Sequence, residues 1–374
     1  VKATRIGEGS LFADEGESER ELVLKANGRF FGADKIQNEV GCLRIMRHYC
    51  PGVPTPEVHA WSEDGRNMVL AAPRGGEERR IALPIGSRPS THGGWILLSR
   101  LPGRPLSSFD FDMATRCGIS KQLGDMAAIW RKNIPAQRKI GNIQFHEDIH
   151  NSEPDIVIGG MEERNLQRFV IRGLLMDDVK VTTPVTSVYE QYQRKLQKKL
   201  SELGNCSTYS RNKRLIPRIK EFINRCLPHL EVNTAVPPAQ TSPARFILTH
   251  YDLSPRNVLI SGSPPEISGI VDFEFAGFFG EPEEFLNDSV GNDDDWHPDV
   301  YDAYLTQLEM HGVVTPRNGF PKHIWDTLRS LERLSENIAP WWLPGPYVDV
   351  ALDEELAKAE VLVLEQLSKL GAML

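Results

Sequence analysis

The chain has 374 residues, 25% of them charged and 40% hydrophobic, and a formal net charge of −8 at pH 7. That profile is an ordinary globular one, long enough for two lobes around a sizeable core. No basic stripe suits nucleic acid or an anionic membrane surface, and no apolar run approaches a membrane span, so neither is expected as a partner.

The first 26 residues read as three strands. The last, Glu21 to Ala26, is amphipathic, and Gly7-Glu8-Gly9-Ser10 forms a glycine turn that would let backbone approach phosphate closely, or else an ordinary hairpin. Asn38 to Tyr49 reads as a helix, with Glu39, Leu43, Met46 and Cys50 on one face. A glutamate on an apolar face is costly unless paired. Lys25, alternating with Leu22 and Leu24 on the preceding strand, is its candidate partner.

Pro51 to Pro56 is a stiff connector. Glu57 to Trp61 and Met68 to Leu70 are candidate strands. Residues 71–94, with Arg74, Arg79, Arg80 and Arg88, read as an inserted loop or loose hairpin that is more solvated than functional. Trp95 to Ser99 is a buried strand that runs through Arg100-Leu101-Pro102-Gly103 out of the first lobe. Helices are expected over Met113 to Trp130, Val188 to Leu203 and Tyr209 to Leu230. Residues 131–187 carry little periodicity, and Asn151 to Gly160 is a candidate substrate-side loop. Asn233 to Pro243 is a connector rich in Pro, Ser, Thr and Ala.

The stretch on which the chain turns is His250-Tyr251-Asp252-Leu253-Ser254-Pro255-Arg256-Asn257-Val258-Leu259-Ile260, followed by Ile270-Val271-Asp272-Phe273-Glu274. Apolar runs at 246–248, 258–260 and 267–271 predict three short strands, with Asp252, Asn257 and Asp272 at their ends. Such a set suits phosphoryl transfer, which needs an oriented nucleophile and neutralised phosphate charge. Asp252 can accept a hydroxyl proton, and Asn257 and Asp272 offer the hard oxygens that Mg2+ takes.

From Glu281 to Asp295 there are seven acids and no Lys or Arg. This run is either a solvated loop or an electrostatic lure for a cationic substrate, with Glu283 and Glu284 in the pocket wall. Pro298 to Met310, Pro321 to Asn337 and Leu352 to Leu370 are expected helices, and Trp341-Trp342 is expected to close a core. The five cysteines form no C-x-x-C pair and read as reduced thiols. With no visible signal peptide, a cytoplasmic location is expected. The start at Val1 leaves open a targeting segment removed before it.

H-Y-D-L-S-P-R-N with the downstream I-V-D-F-E resembles the aminoglycoside phosphotransferase and choline kinase family, above all the branch common in fungi with H-G-D-L-S-P-R-N. The resemblance covers nearly the whole chain. It implies an α+β, bilobal protein kinase-like fold: a small antiparallel-sheet N-lobe over residues 1–101 that binds nucleotide, and a larger, mostly helical C-lobe over 102–374 that carries the catalytic loop and acceptor site. It further implies ATP and Mg2+, transfer of the γ-phosphoryl group to a small-molecule hydroxyl, and a role for each matching residue. Asp252 is the implied base, and Asn257 and Asp272 the metal ligands. Lys25, fixed by Glu39, holds phosphate, while backbone groups of Ser99 and Leu101 read adenine. His250 braces the loop. Arg256 either contacts phosphate or pairs with an acid.

Two departures stand out, Tyr251 where the family has Gly and the short, acidic glycine turn. They keep a nucleotide-binding pseudoenzyme or interaction module open as an alternative. A protein kinase is disfavoured by D-F-E in place of D-F-G, by Ser254 in place of a loop lysine, and by the lack of an A-P-E-like segment. Acceptor identity and oligomeric state are not legible in the sequence.

Overall fold

The computed structural model describes residues 21–28, 32–71, 78–82, 94–146, 153–158, 166–175, 185–232 and 245–371. The strands expected before residue 21, the glycine turn at 7–10, Arg74, Arg88, most of the 71–94 loop and the 233–243 connector lie outside these residues.

Five strands form the first sheet: β1 (Leu22–Ala26), β2 (Val58–Ser62), β3 (Asn67–Leu70), β4 (Arg79–Ala82) and β5 (Trp95–Ser99). Their order is β1-β5-β2-β3-β4, and every pairing is antiparallel. Helix α1 (Gly32–Tyr49) follows β1 and buries Ile36, Glu39, Val40, Leu43 and Met46, the face its periodicity predicts.

The chain leaves this sheet through Leu101 to Gly103 into β6 (Arg104–Pro105), which pairs with β11 (Val258–Ser261) just after the loop that carries Asp252 and Asn257. The crossing is tight. Gly103 has φ +97°, and a Cβ there would collide with the Ile260 carbonyl, so only glycine passes.

Helices build most of the second part of the molecule. Helix α2 (Met113–Asn133) is capped by Asp112, whose side chain accepts from Thr115 N–H at 2.7 Å. Strands β7 (Asn142–Phe145), β8 (Ile156–Ile158) and β9 (Gln167–Gly173) form a separate sheet in the order β7-β9-β8. Thus part of the stretch expected as a substrate-side loop, residues 156–158, is a strand, and residues 151–152 and 159–160 lie outside the described residues.

This sheet packs back onto α1. Ile143 N–H donates to Asn38 Oδ1 at 2.7 Å, and Phe145 stacks on Trp61 at 5.6 Å. Gly41 lets Ile143 and Phe169 approach the helix closely. Packing therefore crosses the expected lobe boundary at 101/102.

Helix α3 (Val188–Asn205) is capped by Ser187, and its Glu190 reaches back to Thr186 N–H. The single helix expected over Tyr209 to Leu230 is broken: a 3-10 turn (Ser207–Leu215), α4 (Ile216–Glu221), a π turn and another 3-10 turn. Pro217 and Pro228 lack the N–H groups a continuous helix needs. Then come β10 (Ile247–Thr249), β11, β12 (Glu266–Ile270), β13 (Gly277–Phe279) and the short helix α5 (Glu283–Leu286).

The chain ends on α6 (Pro298–Met310), α7 (Lys322–Ile338) and α8 (Asp349–Gly371), with α6 on α2 and α7 against α3 and α8. Trp341 and Trp342 do not close a core. They are 63% and 37% exposed, and Ala339 and Leu343 take the buried positions around them. The whole is the expected α+β, kinase-like arrangement, a sheet-rich first part and a mostly helical second. Among the described residues no helix is long and apolar enough to cross a membrane.

Candidate active site

Three short strands present the candidate loop. β10 pairs with β13 and runs into His250, while β11 pairs with β12 and returns the chain to Asp272. The Val271 N–H donates to the Asn257 carbonyl at 3.0 Å, which puts Asn257 beside Asp272. His250 is buried and locked. Its Nε2 lies 3.1 Å from the Val271 carbonyl, Nδ1 accepts from Asp252 N–H at 3.4 Å, and its own N–H donates to Glu284 Oε2 at 3.0 Å. Burial holds its imidazole below the ordinary histidine range, consistent with a neutral ring that donates from one nitrogen and accepts at the other.

Asp252 is gripped at both oxygens. Oδ1 accepts from Arg256 Nη2 at 2.5 Å and Oδ2 from Asn257 Nδ2 at 3.1 Å. Arg256 also lies 3.4 Å from Asp295, so it is a pair for acids in this structure. Asn257 Nδ2 donates to the Asp252 carbonyl and to its Oδ2, which leaves Oδ1 as the side-chain atom Asn257 could offer a cation.

Lys25 sits among three carboxylates. Its Nζ lies 2.7 Å from Glu39 Oε2, 2.6 Å from Asp272 Oδ1 and 2.9 Å from Glu274 Oε2. Lys35 reaches the same Glu274 oxygen at 3.2 Å. Burial alone would lower the Lys25 pKa, but the three acids raise it above its ordinary value. Burial pushes Glu39 up to about 7 even with the ammonium beside it, and repulsion from Asp272 and Glu274 adds to the rise. Oxygens of Glu39, Asp272 and Glu274 fall within 4.8 Å of one another around the Lys25 ammonium, and they are hard oxygens of the kind that Mg2+ takes.

Glu274 and Lys35 join the site beyond the residues to which the sequence analysis gives a role. The signals were there: Glu274 is two residues beyond Asp272, and Lys35 lies one helical turn before Glu39.

Two residues of the site hold left-handed backbone, Tyr251 at φ +71° and Asp272 at φ +70°. Aspartate tolerates this locally, but a tyrosine there costs about 1–2 kcal/mol. The Tyr251 hydroxyl accepts from Lys195 Nζ at 2.8 Å, and its ring lies 5.1 Å from Phe279. Lys195 is buried and donates to both oxygens of Glu332 at 2.6 and 2.7 Å.

The acidic run is not a uniform wall. Glu283 and Glu284, 3% and 4% exposed, turn inward. Glu283 accepts from Gln191 at 2.9 Å, and Glu284 holds His250 N–H with Arg131 3.8 Å away. The expectation that this pair lines an acceptor pocket is therefore overturned. Their partners Arg131, Gln191 and His250 come from α2, α3 and the candidate loop, far along the chain. Asp293, Asp294 and Asp295 remain exposed. Asp294 and Asp295 line a cleft of about 270 Å³ with Phe109, Arg256, Trp296 and His297, next to Asp252 through Arg256.

The strand that precedes the crossing ends at Ser99, whose Oγ accepts from Glu57 N–H at 2.7 Å. Leu101 packs its side chain against Gly269 on β12. The structure thus brings Lys25, Glu39 and Asp272 into direct contact and joins Asp252 to Asn257, while Ser99 and Leu101 lie at the crossing between the sheets.

The family model described as the phosphotransferase enzyme family matches residues 5–279. Among solved structures the chain is similar to the gentamicin–APH(2″)-IIa complex, at 12% identity over 92% of this chain and 85% of that one, with a TM-score of 0.49. It is similar to ADP-bound aminoglycoside phosphotransferase APH(2″)-Ib at 11% identity over 92% and 88%, with a TM-score of 0.48. An aminoglycoside-3′-phosphotransferase of type VIII aligns at 17% identity over 84% of each chain, with a TM-score of 0.41. No curated protein matches the chain in sequence.

Proposed function

The chain belongs to the phosphotransferase enzyme family, and from that premise we propose that it transfers the γ-phosphoryl group of ATP to a hydroxyl of a small molecule. The observation that carries this reading is the meeting of Lys25 with Asp272 at 2.6 Å, beside a loop in which Asn257 and Arg256 orient Asp252.

In this reading residues 1–101 hold the nucleotide and 102–374 the acceptor. Backbone groups of Ser99 and Leu101 take the adenine edge. Lys25, steadied by Glu39, neutralises phosphate charge. Asp272 and the Oδ1 of Asn257 are the residues that would hold Mg2+, with Glu274 close by. Magnesium bound there would offset the charge that develops on the β- and γ-phosphates. The acceptor oxygen attacks the γ-phosphorus, the bond to the β–γ bridging oxygen breaks, and ADP leaves. Asp252 takes the hydroxyl proton, its carboxylate aimed by Asn257 and Arg256.

The cleft lined by Phe109, Trp296, Asp294 and Asp295 is the acceptor site in this reading, and its exposed acids favour a cationic alcohol. A reducing compartment such as the cytoplasm suits its five free cysteines. The test is ATP consumption, with Mg2+, across a panel of alcohols that includes amino sugars, amino alcohols and neutral polyols. Acceptor-dependent release of ADP supports the reading. Tight ATP binding with no consumption over the whole panel favours a nucleotide-binding module instead.

A further inference from the structure

We propose that Tyr251, anchored by the buried Lys195–Glu332 pair, is a positioning residue for Asp252. The inference rests on the reading of Asp252 as the base and deepens it.

Tyr251 immediately precedes Asp252 and holds φ +71°, a conformation that glycine adopts freely and a tyrosine resists. Something must keep it there, and both ends of its side chain are held. The ring lies against Phe279 at 5.1 Å, and the hydroxyl accepts from Lys195 Nζ at 2.8 Å. Lys195 cannot drift, because Glu332 binds it through both oxygens and the Tyr192 hydroxyl lies 3.2 Å from the same glutamate.

Rotating Tyr251 to an ordinary φ would swing the ring out of this slot and break the bond to Lys195. While the ring is seated, the peptide joining 251 to 252 is oriented and the Asp252 N–H points at His250 Nδ1. The neighbouring helix contributes from the other side, since Glu284 accepts from His250 N–H. The backbone that carries Asp252 is thus set from α3 and α7 through Tyr251, and from α5 through His250, while Arg256 and Asn257 hold its carboxylate. In this chain a hydrogen-bonded anchor does what glycine's freedom would otherwise do.

The test compares Y251F, which removes only the hydroxyl, with K195M/E332M, which removes the Lys195–Glu332 pair together and leaves Glu283 its hydrogen bonds from Gln191 and Tyr192, and with the same double replacement made in Y251G. The first readout is Mg2+-dependent ATP turnover with the best alcohol of the panel, or with water alone. Y251F and K195M/E332M should each lower kcat about tenfold or more while the KM for ATP stays within about twofold. In the glycine background the double replacement should change kcat by less than about twofold, because no strained side chain remains to be anchored.

An equal fall in the tyrosine and glycine backgrounds, or an unchanged kcat in Y251F, overturns the proposal. The second readout needs no activity. Amide hydrogen exchange over residues 250–257 should accelerate at least about tenfold in Y251F with exchange in α2 unchanged, and unaltered exchange overturns the anchor. A wild type that never consumes ATP while Y251F still loosens the loop would count against the kinase reading alone.

Discussion

Lys25 Nζ lies 2.6 Å from Asp272 Oδ1, which ties β1 of the first sheet to a residue 247 positions later in the chain. A lysine shared by Asp272, Glu39 and Glu274 must loosen part of this cage to meet a phosphate. Lys25→Met should therefore do two things. It should weaken Mg2+–ATP binding by at least about tenfold, and it should destabilise the fold by about 2–4 kcal/mol, because Glu39 is left buried without its cation. Adding Glu39→Gln should restore much of the lost stability and none of the binding. Calorimetry and thermal melts separate the two effects, and recovery of binding in the double variant would contradict the phosphate role.

Asp252→Ala should leave ATP affinity within a few-fold of wild type and lower acceptor phosphorylation by about a hundredfold or more, the scale of general-base loss. Both its oxygens are bonded to Arg256 and Asn257, so Asp252→Asn should keep more of the loop's order and still fail in turnover. Turnover near wild type in either variant would remove Asp252 from the mechanism.

Asp272→Asn should weaken nucleotide binding in the presence of Mg2+ far more than in its absence. The two titrations, run side by side with and without a chelator, give the ratio directly. Equal losses would mean that the substitution acts through Lys25 alone.

Glu284→Ala should act on stability and not on acceptor recognition. It removes the acceptor of the His250 N–H and leaves Arg131 buried without its acid, a loss of about 2–4 kcal/mol. Denaturant melts should register this. A selective rise in the acceptor KM at unchanged stability would return Glu284 to the pocket wall.

Stability should fall as pH rises from mildly acidic to mildly basic. Burial raises Glu39 and Glu283 to about 7 and Asp288 to about 8. Between the ordinary carboxyl range and these values the folded chain keeps protons that the unfolded chain has lost. Folding is then coupled to proton uptake, and the contribution is full at low pH and disappears as pH climbs through about 7 to 8. Thermal midpoints should drop from about pH 5.5 to about pH 8, and Asp288→Asn should flatten the slope. A midpoint that rises over this range would contradict the assignment.

The sequence carried the site better than its surroundings. The strands around Asp252, Asn257 and Asp272 were readable because each is a short apolar run that ends on a polar group. The facing of Glu39 followed from helical phase, which needs no tertiary knowledge. Glu283 and Glu284 show the limit. An acidic run reads as solvated, and only folding reveals that Arg131 and Lys195, far along the chain, draw these two inward. Trp341 and Trp342 show it too, since apolar side chains do not announce which of them stay outside. Strands β7 to β9 leave no mark in the sequence because what stabilises them is α1, more than ninety residues upstream, and not a periodicity of their own.

That packing has a consequence for how the chain acquires its shape during synthesis. The helix that bears Glu39 emerges early, but the apolar surface around Gly41 and Trp61 is covered only once Ile143, Phe145 and Phe169 exist. Until then the amino-terminal sheet must wait with that surface open to water or to other chains. A fragment cut at residue 101 should therefore be aggregation-prone, whereas one that continues through residue 173 carries its own cover.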